Sequence, residues 1–244
     1  MRRDSLIRRA SARAHALLTL IATMLTLWTI WSTMVLPNLS PKSGWLQAAQ
    51  AAAIRAVLWV LPSGVYLWRH KGSRAWDGLG LSLPPNWHSG LAAMSLVMIA
   101  SLAISIDVAS KLEVSVLEVW PLLWQRQTYE GFQTPFFEEL VFRGVIFSEL
   151  LALSGLSRQA SLLPLRKRIE RAWLANLGAS VVFVGMHWPW WIFTEGLGVG
   201  LLVKSLPVFL LSLVLGVVFL RGKSLWPCVL LHWLNNSLAQ LAGA

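Results

Sequence analysis

The sequence predicts an all-α fold, a polytopic membrane helical bundle of about seven transmembrane helices or eight at most, and three observations carry the prediction. Apolar residues fill 56% of the 244 positions and charged residues only 13%, against roughly 25% charged in an ordinary soluble domain. Mean hydropathy is +0.59. The apolar residues also fall in blocks that recur from Ala14 to Leu241, with no long polar stretch able to fold separately.

A helix needs roughly 20 apolar residues to cross the hydrocarbon core. Segments near that length run from Ala14 to Leu36, Leu46 to Trp68, Gly90 to Ala109, Phe132 to Leu153, Trp173 to Phe193, Gly198 to Leu220 and Leu225 to Leu241. The first follows five arginines and resembles a signal peptide, but its apolar run is too long and lacks a small-residue cleavage site before Pro37, so it is expected to stay as an anchor. The tail and even-numbered loops carry 15 Lys and Arg against 4 in the odd-numbered loops. The positive-inside rule then puts the N-terminus in the cytoplasm. Val114 to Gln127 reads as an interfacial amphipathic helix or part of an eighth crossing, which would reverse everything downstream. Arg69 to His88, rich in Gly and Pro, reads as a turn-rich cytoplasmic loop, and Arg158 to Arg171 as a basic connector that signals topology and attracts anionic headgroups. Many of the 15 tryptophans, including Trp68, Trp173, Trp188, Trp190, Trp191 and Trp226, lie near segment ends and read as an aromatic belt.

The net charge of +10 is spread between apolar blocks and forms no face that follows a phosphate backbone, so no nucleic-acid partner is expected. The single cysteine, Cys228, builds neither an intrachain disulfide nor a multi-thiolate metal site.

Ionisable groups inside a span cost several kcal/mol, and each is a functional hypothesis by default. Here they concentrate in the second half: Glu138, Glu139 and Arg143 in the fourth segment, His187 in the fifth, His232 and Asn236 in the seventh. Glu139 and Arg143 stand at i and i+4, the order that favours an ion pair, and read as a structural pair or as direct participants in catalysis. Glu138 points about 100° away from them, without a partner nearby in sequence, and suits a general base or a structural acid. His232 and Asn236 share a helix face and suit either two donors to one oxyanion or a helix–helix hydrogen-bond pair. His187 precedes Trp188-Pro189, where a helix kinks or ends. By helical rise, Glu138 and His187 come to nearly the same depth, so the set is able to converge. Arg55, in the second segment, offers a buried partner for an acid such as Asp107. Gly196 and Gly200 fit a turn or close helix packing, and a thiol dyad of Cys228 with His232 lacks an orienting acid.

These residues resemble the CAAX-protease and bacteriocin-processing (CPBP, or Abi) family of intramembrane endopeptidases. The family's Glu-Glu-x-x-x-Arg, Phe-x-x-x-His and His-x-x-x-Asn motifs correspond to Glu138-Glu139 with Arg143, Phe183 with His187, and His232 with Asn236, in the right order. Ser224-Leu225-Trp226-Pro227 resembles the family's context before the last motif. The resemblance implies N-terminal membrane helices with a basic tail over 1–130 and a catalytic core over 131–244, in one continuous membrane domain. It implies peptide-bond hydrolysis in which Glu138 activates water with His187, His232 and Asn236 hold the oxyanion, and Glu139 with Arg143 supports the fourth helix. No cofactor is needed for that chemistry. Zinc held by Glu138, His187 and His232 is the runner-up, weakened by the absence of His-Glu-x-x-His. The rival from another class is a non-catalytic immunity, transport or peptide-binding protein. The expected partners are a membrane-associated protein or peptide substrate and the lipid bilayer, and the expected location is the cell inner membrane.

Overall fold

The computed structural model describes residues 2–38, 45–76, 78–82, 110, 113, 115, 131–156 and 164–241, and every regular element among them is helical. Helix α1 (Arg2–Ile30) continues through a π-helical turn, Trp31–Val35, and closes in a 3-10 turn at Leu36–Asn38. Helix α2 (Trp45–Arg55) passes through a π-helical stretch, Ala56–Val60, into α3 (Leu61–Lys71). Helix α4 (Gln133–Glu139) runs through a longer π-helical stretch, Leu140–Phe147, into α5 (Ser148–Leu153). Then follow α6 (Leu165–Gly185), α7 (Trp188–Glu195), α8 (Val199–Gly222) and α9 (Trp226–Leu241).

Among the described residues, three helical runs are long and apolar enough to cross a membrane, Ala10–Asn38, Gln50–Lys71 and Val199–Gly222, as an integral membrane protein requires. They coincide with the first, second and sixth segments expected from sequence. The third segment, Gly90 to Ala109, lies outside the described residues, as do Asp107 and all of Val114 to Gln127 except residue 115.

The fifth segment differs from its expected form. Helix α6 begins at Leu165, so Arg166 to Arg171 are helical and not part of a loop. Pro164 supplies an extended residue before the first turn, and Arg166 pairs with Glu170 at 3.0 Å, one turn on. The same segment then breaks at Met186 and His187, with Pro189 in the first turn of α7, where its missing N–H costs nothing. Gly196 ends α7 with a positive φ of 79°, so it serves the turn, the first of the two roles that sequence offers it, and among the described residues nothing lies within 4 Å of a Cβ placed on Gly196 or Gly200.

Helix α6 packs along α8, where Gly216 allows the Asn176 carboxamide to lie against the α8 backbone and donate to Leu213 O at 2.9 Å. A Cβ on Gly216 would overlap that carboxamide. The loop at 78–82 docks on the turn between α8 and α9: Leu225 N donates to Gly80 O at 2.7 Å, Ser224 Oγ to Ser82 O at 2.9 Å and Trp226 Nε1 to Leu81 O at 3.0 Å. Gly80, at φ 76°, sits where a Cβ would meet the Phe219 ring at 2.8 Å.

At one end of the bundle, the fully buried Glu149 of α5 ties the N-terminal helices to the rest. Its carboxylate accepts from Arg13 Nε at 2.7 Å and from the Tyr66 hydroxyl at 3.1 Å, and Lys71 Nζ stands 2.9 Å away. A buried carboxylate with two cations and a hydroxyl meets the condition under which a charge is tolerated in a poorly solvated interior.

Candidate functional site

Glu138, His187, His232 and Asn236 line one cavity of about 260 Å³. Four elements bring them there. Glu138 lies at the end of α4, just before the backbone turns π-helical; His187 is the residue that joins α6 to α7; His232 and Asn236 stand one turn apart on α9. π-helical departures inside α-helices are frequent at functional sites.

Glu139 and Arg143 do not line the cavity; they form its buried backing. Arg143 Nε is 3.1 Å from Glu139 Oε2, and its Nη2 donates to the carbonyl and the hydroxyl of Ser212 on α8, at 3.0 and 2.9 Å. Its guanidinium also lies over the Phe183 ring, 4.9 Å from the centroid, a cation–π contact in a poorly solvated site. The other Glu139 oxygen, Oε1, is 2.8 Å from His232 Nδ1. An ionised carboxylate only accepts hydrogen bonds, so His232 Nδ1–H is the donor, and the ring turns Nε2 toward Glu138 Oε2 at 3.5 Å. That separation is longer than a direct hydrogen bond. The sequence reading pairs Glu139 with Arg143 and places His232 with Asn236; the structure adds the bond that joins the two pairs.

His187 is half-buried, and its Nδ1 lies 2.9 Å from Phe183 O one turn earlier. The carbonyl accepts, so Nδ1 carries the proton and the Nε2 lone pair is left for another donor. Phe183 packs against both histidines, with ring centroids 5.0 Å from His187 and 5.7 Å from His232. Asn236 lines the cavity, with Asn235 Nδ2 3.5 Å from its Oδ1.

Residues from the N-terminal helices complete the wall. Trp28, Arg55 and Trp59 all line the cavity, with the Trp28 and Trp59 rings in tilted contact, 4.8 Å between centroids and 56° between planes. Arg55 lines the same space as Glu138; its Nη1 donates to Ala51 O at 3.3 Å, and its buried Nε has no hydrogen-bond partner among the described residues. Trp190 and Trp191 also line the cavity, so these two are not simply members of an interfacial belt. Trp68 and Trp173 are exposed.

Among the described residues, no three His, Cys, Asp or Glu side chains are grouped so as to hold a metal ion. Glu138, His187 and His232, the trio that sequence offers to zinc, share the cavity without forming such a group. The Cys228 thiol is fully buried away from the cavity lining and points to Leu215 O at 3.4 Å, so no thiol dyad with His232 faces the site.

No curated protein and no solved structure matches the chain. A family model does: that of the Rce1-like type II CAAX prenyl endopeptidases, over residues 120–238, a stretch that contains all three polar motifs. Residues 120–238 therefore form a CPBP/Rce1-like domain of the CAAX-protease kind, within which buried Glu138 and Glu139 lie against His232.

Proposed function

We propose that the protein is an intramembrane glutamic endopeptidase of the CAAX type, hydrolysing a peptide bond near the membrane-embedded or lipidated end of a substrate protein. The observation that supports this best is the shared cavity: a carboxylate, an imidazole with a free lone pair, a second imidazole and a carboxamide converge on about 260 Å³ of space. A water seated between Glu138 and His187 would give one hydrogen bond to each. Glu138 takes the proton as the water oxygen adds to the carbonyl carbon, and the developing oxyanion accepts from His232 Nε2–H and the Asn236 carboxamide. In that step His232 carries both ring protons, one of them held by Glu139. The proton on Glu138 then passes to the leaving amine as the C–N bond breaks.

The substrate-binding surface in this reading includes the aromatic wall of Trp28, Trp59, Trp190 and Trp191 beside Arg55. A seven-span topology with a cytoplasmic N-terminus, and a catalytic core over 131–244, belong to the same proposal.

The test compares membrane-linked polypeptide termini in cells carrying wild type, Glu138→Ala or His187→Ala, with chelator-treated wild-type membranes alongside. A polypeptide cut only by wild type, with cutting that survives the chelator, is the expected result. Unchanged termini with well-folded variants would move the reading to a peptide-binding or immunity role, and loss of cutting under chelator would move it to zinc.

A further inference from the structure

Away from the polar cavity, a second and larger one of about 700 Å³ lies between α5, the first turns of α6 and the last turns of α8. That volume falls within the range of about 300–1,000 Å³ usual for small-ligand sites. Its floor is apolar, with Leu151, Ile169, Phe219 and Leu220 among its walls, and its two charged lining residues are both cations, Arg168 and Lys223. None of the described residues that line it is acidic.

The neighbouring arginines are satisfied: Arg166 pairs with Glu170 at 3.0 Å, and Arg171 Nη1 donates to Ser154 O at 2.7 Å. Arg168 differs. Its side chain is half-buried, and its Nε, shielded from solvent, has no hydrogen-bond partner among the described residues. A buried charged donor left unpaired is costly, and a guanidinium is the group best shaped to take two oxygens of a phosphate. The cavity opens along a face of α6 on which Leu165, Ile169 and Trp173 are exposed, so its apolar floor runs on into a surface suited to acyl chains. Arg168, in the first turns of α6, and Lys223, just after α8, lie at helix ends that the distribution of Lys and Arg assigns to the cytoplasmic side, where anionic lipids attract basic pockets between helices.

We propose that this groove binds an anionic phospholipid, its phosphate held by Arg168 and Lys223 and an acyl chain laid on Ile169, Phe219 and Leu220. This goes beyond the peptidase reading; it rests on the topology proposed with that reading and not on the peptidase chemistry. A free phosphate would use the same cations but leave the apolar floor in water.

The test uses the full chain in nanodiscs of phosphatidylcholine with and without phosphatidylglycerol, reading the thermal midpoint and, by native mass spectrometry, retained lipid. The charge-removing variant is Arg168→Met with Lys223→Asn. Met keeps the apolar stem, and Asn tolerates the left-handed backbone at 223, where φ is 50°. The expected result is a midpoint several degrees higher for wild type in phosphatidylglycerol and one retained lipid, with both effects lost in the variant. In phosphatidylcholine alone the variant should be at least as stable as wild type, because an unpaired buried donor is gone. A second variant, Ala172→Phe, keeps both charges but fills the cavity, and should abolish lipid retention as well. Equal responses of wild type and both variants would overturn the proposal, as would no response in wild type. So would an equal stabilisation of wild type by inorganic phosphate in detergent, which would make this a soluble-anion site.

Discussion

His232 Nδ1 lies 2.8 Å from Glu139 Oε1, so one buried carboxylate serves both the last polar helix and Arg143 of its own helix. The contact fixes which ring nitrogen of His232 faces the cavity, and through Arg143 and Ser212 it ties α4, α8 and α9 together at one level. Glu138, its neighbour in sequence, is left facing the space where a substrate would lie. Two adjacent glutamates thus have opposite duties, and their substitutions should fail in different ways.

Glu138→Gln should remove the base and leave the shape. Peptide cleavage is expected to fall by about 10²- to 10⁴-fold, while thermal unfolding in detergent stays near wild type. Cleavage of a reconstituted substrate by the purified variant, beside its melting curve, checks both halves.

Glu139→Gln should act on the fold first. It leaves the buried Arg143 guanidinium without its counter-charge, at a cost of about 3–5 kcal/mol. Removing both charges, as in Glu139→Gln with Arg143→Met, should recover most of that loss, and unfolding curves for the two singles and the double measure the coupling. Activity should stay low in the double variant, because His232 loses its charged acceptor.

Glu149→Gln should loosen the N-terminal helices. Hydrogen bonds to a charged group contribute about 1.5–3 kcal/mol each at best, and Arg13 and Lys71 are partly exposed, so a total of about 2 kcal/mol is the expected loss. Tyr66→Phe, which removes one hydroxyl donor, should cost about 1 kcal/mol. Limited proteolysis near the α1 and α3 ends, compared with global unfolding, reads the local effect.

Gly216→Ala should destabilise by about 1–3 kcal/mol through overpacking against Asn176. Asn176→Ala in the same chain should return part of the stability, since the two side chains compete for one space. Equal losses with or without Asn176 would mean that the overlap is relieved some other way.

Much of this arrangement is legible in the sequence. Pro189 announces the break at His187, because a proline is tolerated in a first turn and not inside a helix. The three motifs announce Glu138, His187, His232 and Asn236, which share a cavity, and the Glu139–Arg143 pair behind it. The Glu139–His232 bond does not announce itself, since 93 positions separate its partners and each already has a local companion at i+4. Glu149 is hidden for another reason: one acid barely lowers the hydropathy of a long apolar segment, and Arg13 and Lys71 read as topology signals. Their shared membrane end is the clue, an acid in the fourth segment at the level where two cations close the first and second. The π-helical stretches after Arg55 and Glu139 are invisible to a search for 3.6-residue periodicity. They fall beside two of the charged groups of the site. The placement of Trp190 and Trp191 in the cavity is similarly beyond a composition rule, because a tryptophan near a segment end looks the same whether it meets headgroups or another helix.

Trp28, Arg55 and Trp59 lie outside residues 120–238, yet they close one side of the polar cavity. A fragment cut at residue 120 would therefore carry every motif side chain and still be a different container, with hydrocarbon tails pressing where three side chains had kept them out. Grafting the first two helices of another such protein onto this one would, for the same reason, reshape the mould while leaving the reactive groups where they stand.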